Sequence, residues 1–404
     1  MALQDLVIFD TSTLPEYYND VHTILALPAG FVVTYDYSAR NISDGALQLL
    51  RAFKTAQPVR AVLAYVQPET YEKGAASDAT GVLPAPTIQT LTRLARVIDV
   101  REVNSDTSVR YYIDLELRGY PYDPNRTIAN GLVKALRASG EMPMKTYVAI
   151  YPTPSSDALF SQRADEQAFS QVVDALSAAP SQFSKDTFWR LTKISYQTKS
   201  LIPLWTRTEV ELTPKTDESE NRSFSYLDVV DQSSLHFHIQ FHRGREEHGI
   251  TYRIRRISVE GSPKSSSDLV QSSFLTRSFG QEIVAISIPA TSSLSVQDVR
   301  FQIVTTHHER DEQKDYPYGP QLSITVRYRK DFVRSSLAIL ALSGASGLFA
   351  WAGFATSILT ANPVFGSIAP IECRVLSVVI GVLASLYAYY LWTDEVTLDK
   401  GRRT

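Results

Sequence analysis

Short apolar runs set the rhythm of the first half of the chain. Leu6-Val-Ile-Phe, Phe31-Val-Val-Thr-Tyr, Val59-Arg-Ala-Val-Leu-Ala-Tyr-Val and Thr146-Tyr-Val-Ala-Ile-Tyr are dense in β-branched and aromatic residues and read as strands. Leu94–Val103 and Val109–Leu117 read as two more, joined by the polar turn Asn104-Ser-Asp-Thr. Helical spacing occupies 45–53, where Asp44 is placed to cap, and returns over Ile128–Ala138 and Glu166–Leu176. The Gly-, Ala- and Pro-rich stretch Lys73–Pro86 reads as an exposed loop. Together these predict an α+β domain over residues 1–195.

From 196 to 333 the helical period disappears and alternation replaces it. Leu235, Phe237, Ile239 and Phe241 fall on one face of a strand, and His236, His238 and His242 on the other. Ile250-Thr-Tyr-Arg-Ile-Arg follows a Gly-containing connection, which predicts an antiparallel hairpin. Val299-Arg-Phe-Gln-Ile and Leu322–Arg329 continue the pattern, with polar loops at 213–223 and 306–320. Such a series of short strands predicts an all-β, sandwich-like second domain over 196–333.

The last part changes character again. Residues 337–360 and 375–392 carry no charge and are long enough, at about 20 residues, to predict a transmembrane helical hairpin over 334–393. Asn362, Pro363 and Pro370 break helix between them. Arg327, Arg329, Lys330 and Arg334 precede the first run. A basic tail over 394–404 follows the second, whose exit carries Tyr389 and Trp392. Basic flanks mark the cytoplasmic side. The expectation is therefore a multi-pass protein of the cytoplasmic (inner) membrane, with both termini inside and these residues as membrane-surface anchors. Small residues at four-residue spacing, Ser343 with Gly347, Gly353 with Ser357, and Ser377 with Gly381 and Ser385, are candidates for membrane helix packing, within one hairpin or between subunits.

Composition narrows the chemistry. The 404 residues carry 40 Lys+Arg against 43 Asp+Glu, a net charge of -3, which argues against a broadly basic surface that binds nucleic acid directly. A single cysteine, Cys373, excludes an intramolecular disulfide framework and a thiolate zinc cluster. The nucleotide-binding glycine motifs and the Gly-x-Ser-x-Gly elbow are absent, so no catalytic residue, metal or cofactor is expected.

Three constellations remain. His236, His238 and His242, with Arg253 and Arg255 on the expected neighbouring strand, form a candidate anion- or partner-binding face. Asp114 and Glu116 share a strand face as a nuclease's metal carboxylates do, but Arg118 stands where a lysine is required. Asp10-Thr-Ser-Thr follows a strand like a phosphotransferase loop, yet Ser12 occupies the second acidic position. Asp10 therefore reads as a cap or turn former.

A soluble sensing region followed by the two runs 337–360 and 375–392 resembles the membrane-acting effectors of bacterial antiphage defence. The resemblance lies in the order of parts. It implies an effector that binds a partner or ligand through its cytoplasmic domains and perturbs the bilayer through an oligomerising hairpin. Its implied partners are the lipid bilayer and further copies of itself or another protein. The alternatives are a passive anchor or scaffold, and a membrane-tethered enzyme using Asp114/Glu116 or His236/His238.

Overall fold

A computed structural model describes residues 5–10, 15–53, 59–66, 88–104, 108–138, 148–153, 157–160, 165–178, 188–197, 209–219, 222–230, 233–242, 250–258, 269–276, 283–288, 297–307, 321–329, 332–354, 372 and 374–386. The expected loop 73–86 lies outside them, as do Lys330, Ser357, Cys373, Tyr389 and Trp392. The chain divides into two units. One comprises 1–228, 233–290 and 298–327; the other comprises 229–232, 291–297 and 328–404.

The first unit begins with a six-stranded mixed sheet. Its strands are β1 (Asp5–Asp10), β2 (Val32–Ser38), β3 (Val59–Val66), β4 (Ile88–Asn104), β5 (Val109–Leu117) and β6 (Ile150–Thr153), in the order β2-β5-β4-β3-β1-β6. β1 runs parallel to β3, with Ile8 opposite Leu63, and every other pairing is antiparallel. Every residue of β1 is buried, as a near-continuous apolar run in a covered parallel pair requires.

The helices of this unit are α1 (Pro15–Ala26), α2 (Asp44–Arg51), α3 (Thr127–Ala138), α4 (Asp157–Phe160) and α5 (Asp165–Leu176). On one sheet face Val7, Phe9, Val62, Leu91 and Leu94 pack with Leu132 and Leu136 of α3 and Leu159 of α4. The cap of α2 comes from the neighbour of the expected residue. Ser43, not Asp44, accepts the Ala46 amide at 3.3 Å, and Asp44 lies in the first turn of α2. At α3, Asp123 accepts the Ile128 and Ala129 amides at 3.1 and 2.8 Å. Arg60 holds the buried Asp5 through both carboxylate oxygens at 2.9 Å.

The remaining strands form two sheets. β7 (Trp189–Gln197), β8 (Glu209–Glu211), β11 (Ser234–Phe241) and β14 (Ile283–Ile288) give the order β14-β11-β7-β8. β9 (Lys215–Ser219), β10 (Arg222–Val230), β12 (Ile250–Ser258), β13 (Leu269–Thr276), β15 (Gln297–His307) and β16 (Gln321–Arg329) give β13-β12-β15-β16-β10-β9. Residues 215–219, expected in a polar loop, thus form an edge strand, which pairs with β10 along one side only. The expected hairpin of 235–242 with 250–255 does not form. β11 pairs with β7 and β14, whereas β12 pairs with β13 and β15. Alternation assigns a strand's buried face, and two strands with the same alternation are free to join different sheets.

In the second unit, α6 (Phe332–Phe354) realises the start of the expected first span, and residues 374–386 are helical in the second. No helix among the described residues is long and apolar enough to cross a membrane, which overturns the expected transmembrane hairpin, and with it the fold class and the inner-membrane localisation. α6 opens on the polar turn around Arg334. The apolar run that follows is interrupted by Ser343, Gly344, Ser346 and Gly347.

The two helices meet through Ser346 and Ser377, whose hydroxyls each donate to the other's backbone carbonyl at 2.9 Å. Gly381 faces this contact, since a Cβ there would stand 3.2 Å from Ser346 Oγ. Ser343 and Gly347, expected in the contact, are exposed, and Ser385 is exposed with its hydroxyl on the Gly381 carbonyl. Gly353 lies in the last turn of α6.

Candidate functional site

β1 is apolar and buried up to Asp10, so its last side chain is a carboxyl held inside the protein. Asp10 is 7% exposed and lines a cleft of about 530 Å³ at the end of the strand. Four further elements complete the walls. α1 supplies Asp20, Thr23 and Ile24. The edge strand β2 supplies 33–38. The single 3-10 turn that follows it, Ala39–Asn41, supplies Arg40. β5, the neighbour of β2, adds Arg110.

The edge position of β2 gives the cleft an aromatic wall. Tyr35 and Tyr37, two residues apart, project from one strand face, and their rings lie parallel within 2° at 5.9 Å between centroids. The Tyr35 hydroxyl donates to Asp10 Oδ2 at 3.2 Å. On the opposite face of β2, Asp36 takes both Nε and Nη2 of Arg110, at 2.9 and 2.6 Å.

Burial shifts the ionisation of these groups. Asp10 is pushed up to about 8, first by loss of solvent and then by the charge of Asp20, against the smaller opposing effect of the Tyr35 hydrogen bond. Its carboxyl is therefore mostly protonated at neutral pH. Tyr35 is pushed well above the ordinary tyrosine range, by burial and then by Asp10, so it remains a donor. On α1 the neighbouring His22 is brought down to about 3 by burial, and it lies against Phe188 with ring centroids 4.5 Å apart. It is a neutral core residue at physiological pH.

No family model matches this chain, and no curated protein is similar to it.

The histidine face is dispersed. On β11, His236 stands opposite Ser195 and Ser287, and His238 opposite Lys193 and Ala285. Arg253 and Arg255 stand in a different sheet, opposite Val304 and Gln302 of β15. His242 is buried just beyond the strand, with Nε2 3.4 Å from Asp174 and its ring edge-on to Phe169. The five residues expected to bind an anion or partner together thus do not lie on one sheet.

His238 has a different neighbourhood. Ser195 Oγ lies 3.3 Å from its Nε2 and donates to Glu209 Oε1 at 2.5 Å; Lys193 Nζ also reaches Oε1, at 2.9 Å. The hydrogen bonds from Ser195 and Lys193 lower Glu209 to about 2. A serine, a histidine and an acid are thus adjacent, but not as a relay. Glu209 approaches the same Nε2 that Ser195 does, at 3.4 Å, and it holds the serine itself. In a nucleophilic triad the acid orients the other ring nitrogen and leaves the hydroxyl free for substrate. Ser195 is also fully buried.

The other carboxylates are committed to structure. Asp114, fully buried, accepts from Arg101 Nη2 on both oxygens at 2.9 Å and from Thr34 Oγ1 at 2.7 Å. Glu116 accepts from Arg96 and Arg118. Among the described residues no group of three or more His, Cys, Asp or Glu is arranged to hold a metal ion. The flanking cation Arg327 pairs with Asp217 at 2.9 Å and stacks on Tyr226 at 4.1 Å, and Arg329 is exposed at the end of β16.

Along the chain Asp10 reads as a cap or turn former. A carboxylate closing the apolar run Leu6-Val-Ile-Phe was the available signal. The contributions of Asp20, Tyr35, Tyr37, Arg40 and Arg110 depend on how four elements converge, which leaves no pattern along the chain.

Proposed function

We propose that this protein is a ligand-binding protein and that the cleft at the end of β1 is its recognition site for a small polar molecule. The observation that carries this reading is Asp10, a buried carboxyl lining a cavity of about 530 Å³, within the range of small-molecule sites. A carboxyl in a cleft whose pKa is strongly raised by desolvation is a candidate functional group. The stacked tyrosines beside it supply flat surface at low conformational cost, and Thr23, Ser38 and Asn41 supply hydrogen bonds around the rim. The expected output at a bilayer is no part of this reading, because no helix among the described residues is long and apolar enough to cross one.

The test is a thermal-shift screen of the full chain against amino acids, amines, sugars and nucleotides, followed by calorimetry. At least one compound class should raise the melting temperature of the native chain and lose its effect in Tyr37→Ala. A screen in which no class binds, or in which binding survives both Tyr37→Ala and Asp10→Asn, overturns the reading.

A further inference from the structure

Resting on that reading of the cleft, we propose that its ligand carries an organic cation, a primary ammonium or guanidinium group, that seats between Asp10 and Asp20 against the Tyr35 and Tyr37 rings.

The electrostatics of the wall point this way. Asp10 is more than nine-tenths buried and lines the cavity, and among the described residues its one hydrogen-bond donor is Tyr35, which takes Oδ2. Its other oxygen has no donor from those residues. Asp20 lines the same space, close enough for its charge to act on Asp10. With Asp10 ionised, two carboxylates lining one cavity repel each other, and a cation placed between them relieves that repulsion. The guanidinium of Arg110 does not provide that relief, because Asp36 already holds it at two points.

A compact metal ion fits less well than an organic cation. No third ligand from His, Cys, Asp or Glu joins the pair among the described residues, whereas two parallel tyrosine rings favour a cation with a flat or methylene frame. An anionic ligand would meet two aspartates in the lining, against Arg40 as a lining cation.

A proton balance follows. At neutral pH Asp10 holds a proton, which an incoming cation must displace into solvent. Among the described residues, the charged and titratable groups around Asp10 are Asp20 of α1, Tyr35 and Tyr37 of β2, the Asp36–Arg110 pair, Arg40 of the 3-10 turn, and Tyr65, its register partner on β3. Tyr35 keeps its proton in this range, so Asp10 is the group that responds. Affinity for a cation should therefore rise with pH, by about tenfold from pH 6 to pH 7, and level off above about pH 8.

The experiment is calorimetric titration of the full chain with agmatine, which carries both cationic groups, beside inositol as a neutral probe and AMP as an anionic one. Agmatine should bind saturably, tighten about tenfold from pH 6 to pH 7, and release close to one proton at pH 7 when buffers of different ionisation heat are compared. Asp10→Asn, shown to be folded by circular dichroism, should weaken agmatine by about tenfold or more and abolish the pH dependence. If inositol or AMP binds and agmatine does not, the cation assignment is wrong while the cleft remains a binding site. Agmatine binding with a flat pH profile and no proton release likewise overturns the assignment. If none of the probes binds and the wider screen is also silent, the reading of the cleft falls with it.

Discussion

Replacing Asp10 by asparagine removes the proton equilibrium and keeps the shape. In the folded chain the Asp10 carboxyl titrates at about 8, against an ordinary value of 3.8. A folded pKa above the unfolded one means that the folded state holds its proton more tightly. Between pH 3.8 and about 8 the unfolded chain has lost that proton and the folded chain has not, so stability declines as pH rises through this window and is constant above it. Each pH unit is worth about 1.36 kcal/mol, and a little over three units separate 3.8 from neutrality, so the native carboxyl costs about 4 kcal/mol of stability at pH 7 and almost nothing at pH 4. An asparagine side chain in its place carries no such penalty. Its amide oxygen accepts from Tyr35 as the carboxyl does, and any difference in packing is independent of pH. The stability of Asp10→Asn relative to the native chain should therefore improve by about 4 kcal/mol between pH 4 and pH 7 and flatten above about pH 8. Urea denaturation followed by intrinsic fluorescence, run in parallel at each pH on both proteins, measures it. A difference that stays flat within about 1 kcal/mol from pH 4 to pH 8 would refute the assignment of Asp10 as a buried, high-pKa acid.

Three further outcomes are expected. Arg60→Met leaves the buried Asp5 without its bidentate partner and should destabilise the chain by roughly 3–5 kcal/mol, most of which the double change with Asp5→Asn should restore; equilibrium denaturation of the single and double variants tests this. Gly30→Ala should lose more than about 1 kcal/mol by the same assay, because Gly30 has φ +90° and a Cβ there would stand 3.0 Å from Pro214. Ser346→Cys with Ser377→Cys, in a Cys373→Ser background, should form a disulfide within one chain on mild oxidation, because the two hydroxyls lie 3.4 Å apart. Non-reducing electrophoresis reads the result, and crosslinks only between chains would show that the Ser346–Ser377 contact is not intramolecular.

Residue patterns carried the elements but not their partners. Leu235, Phe237 and Ile239 alternate with His236 and His238, and the strand and its buried face follow from that alone. The partner strands did not follow. Arg253 and Arg255 carry the same kind of alternation into another sheet, because a period of two specifies which face is covered and not which backbone completes the ladder. The carboxylates behaved alike. Asp114 and Glu116 were recognisable as a pair on one strand, while their neutralisation by Arg101, Arg96 and Arg118 required the neighbouring strand and the turn beyond.

The two C-terminal runs mark the limit of reading apolarity along the chain. Absence of charge predicted helix in both, and helix is present over 332–354 and 374–386. Composition could not decide that Ser346 rather than Ser343 or Gly347 would meet the second helix, because a register between two helices is a property of both.

Asp10 shows the division most clearly. Local sequence determines that a carboxyl ends an apolar strand. Only the folded chain brings Asp20 of α1 and Tyr35 and Tyr37 of β2 around it and withdraws it from water. An ionisation constant depends on everything within a few ångströms in space, whereas a strand depends mainly on its own few residues. The elements were therefore legible in the order of residues, and the chemistry of the cleft became so only once they had packed.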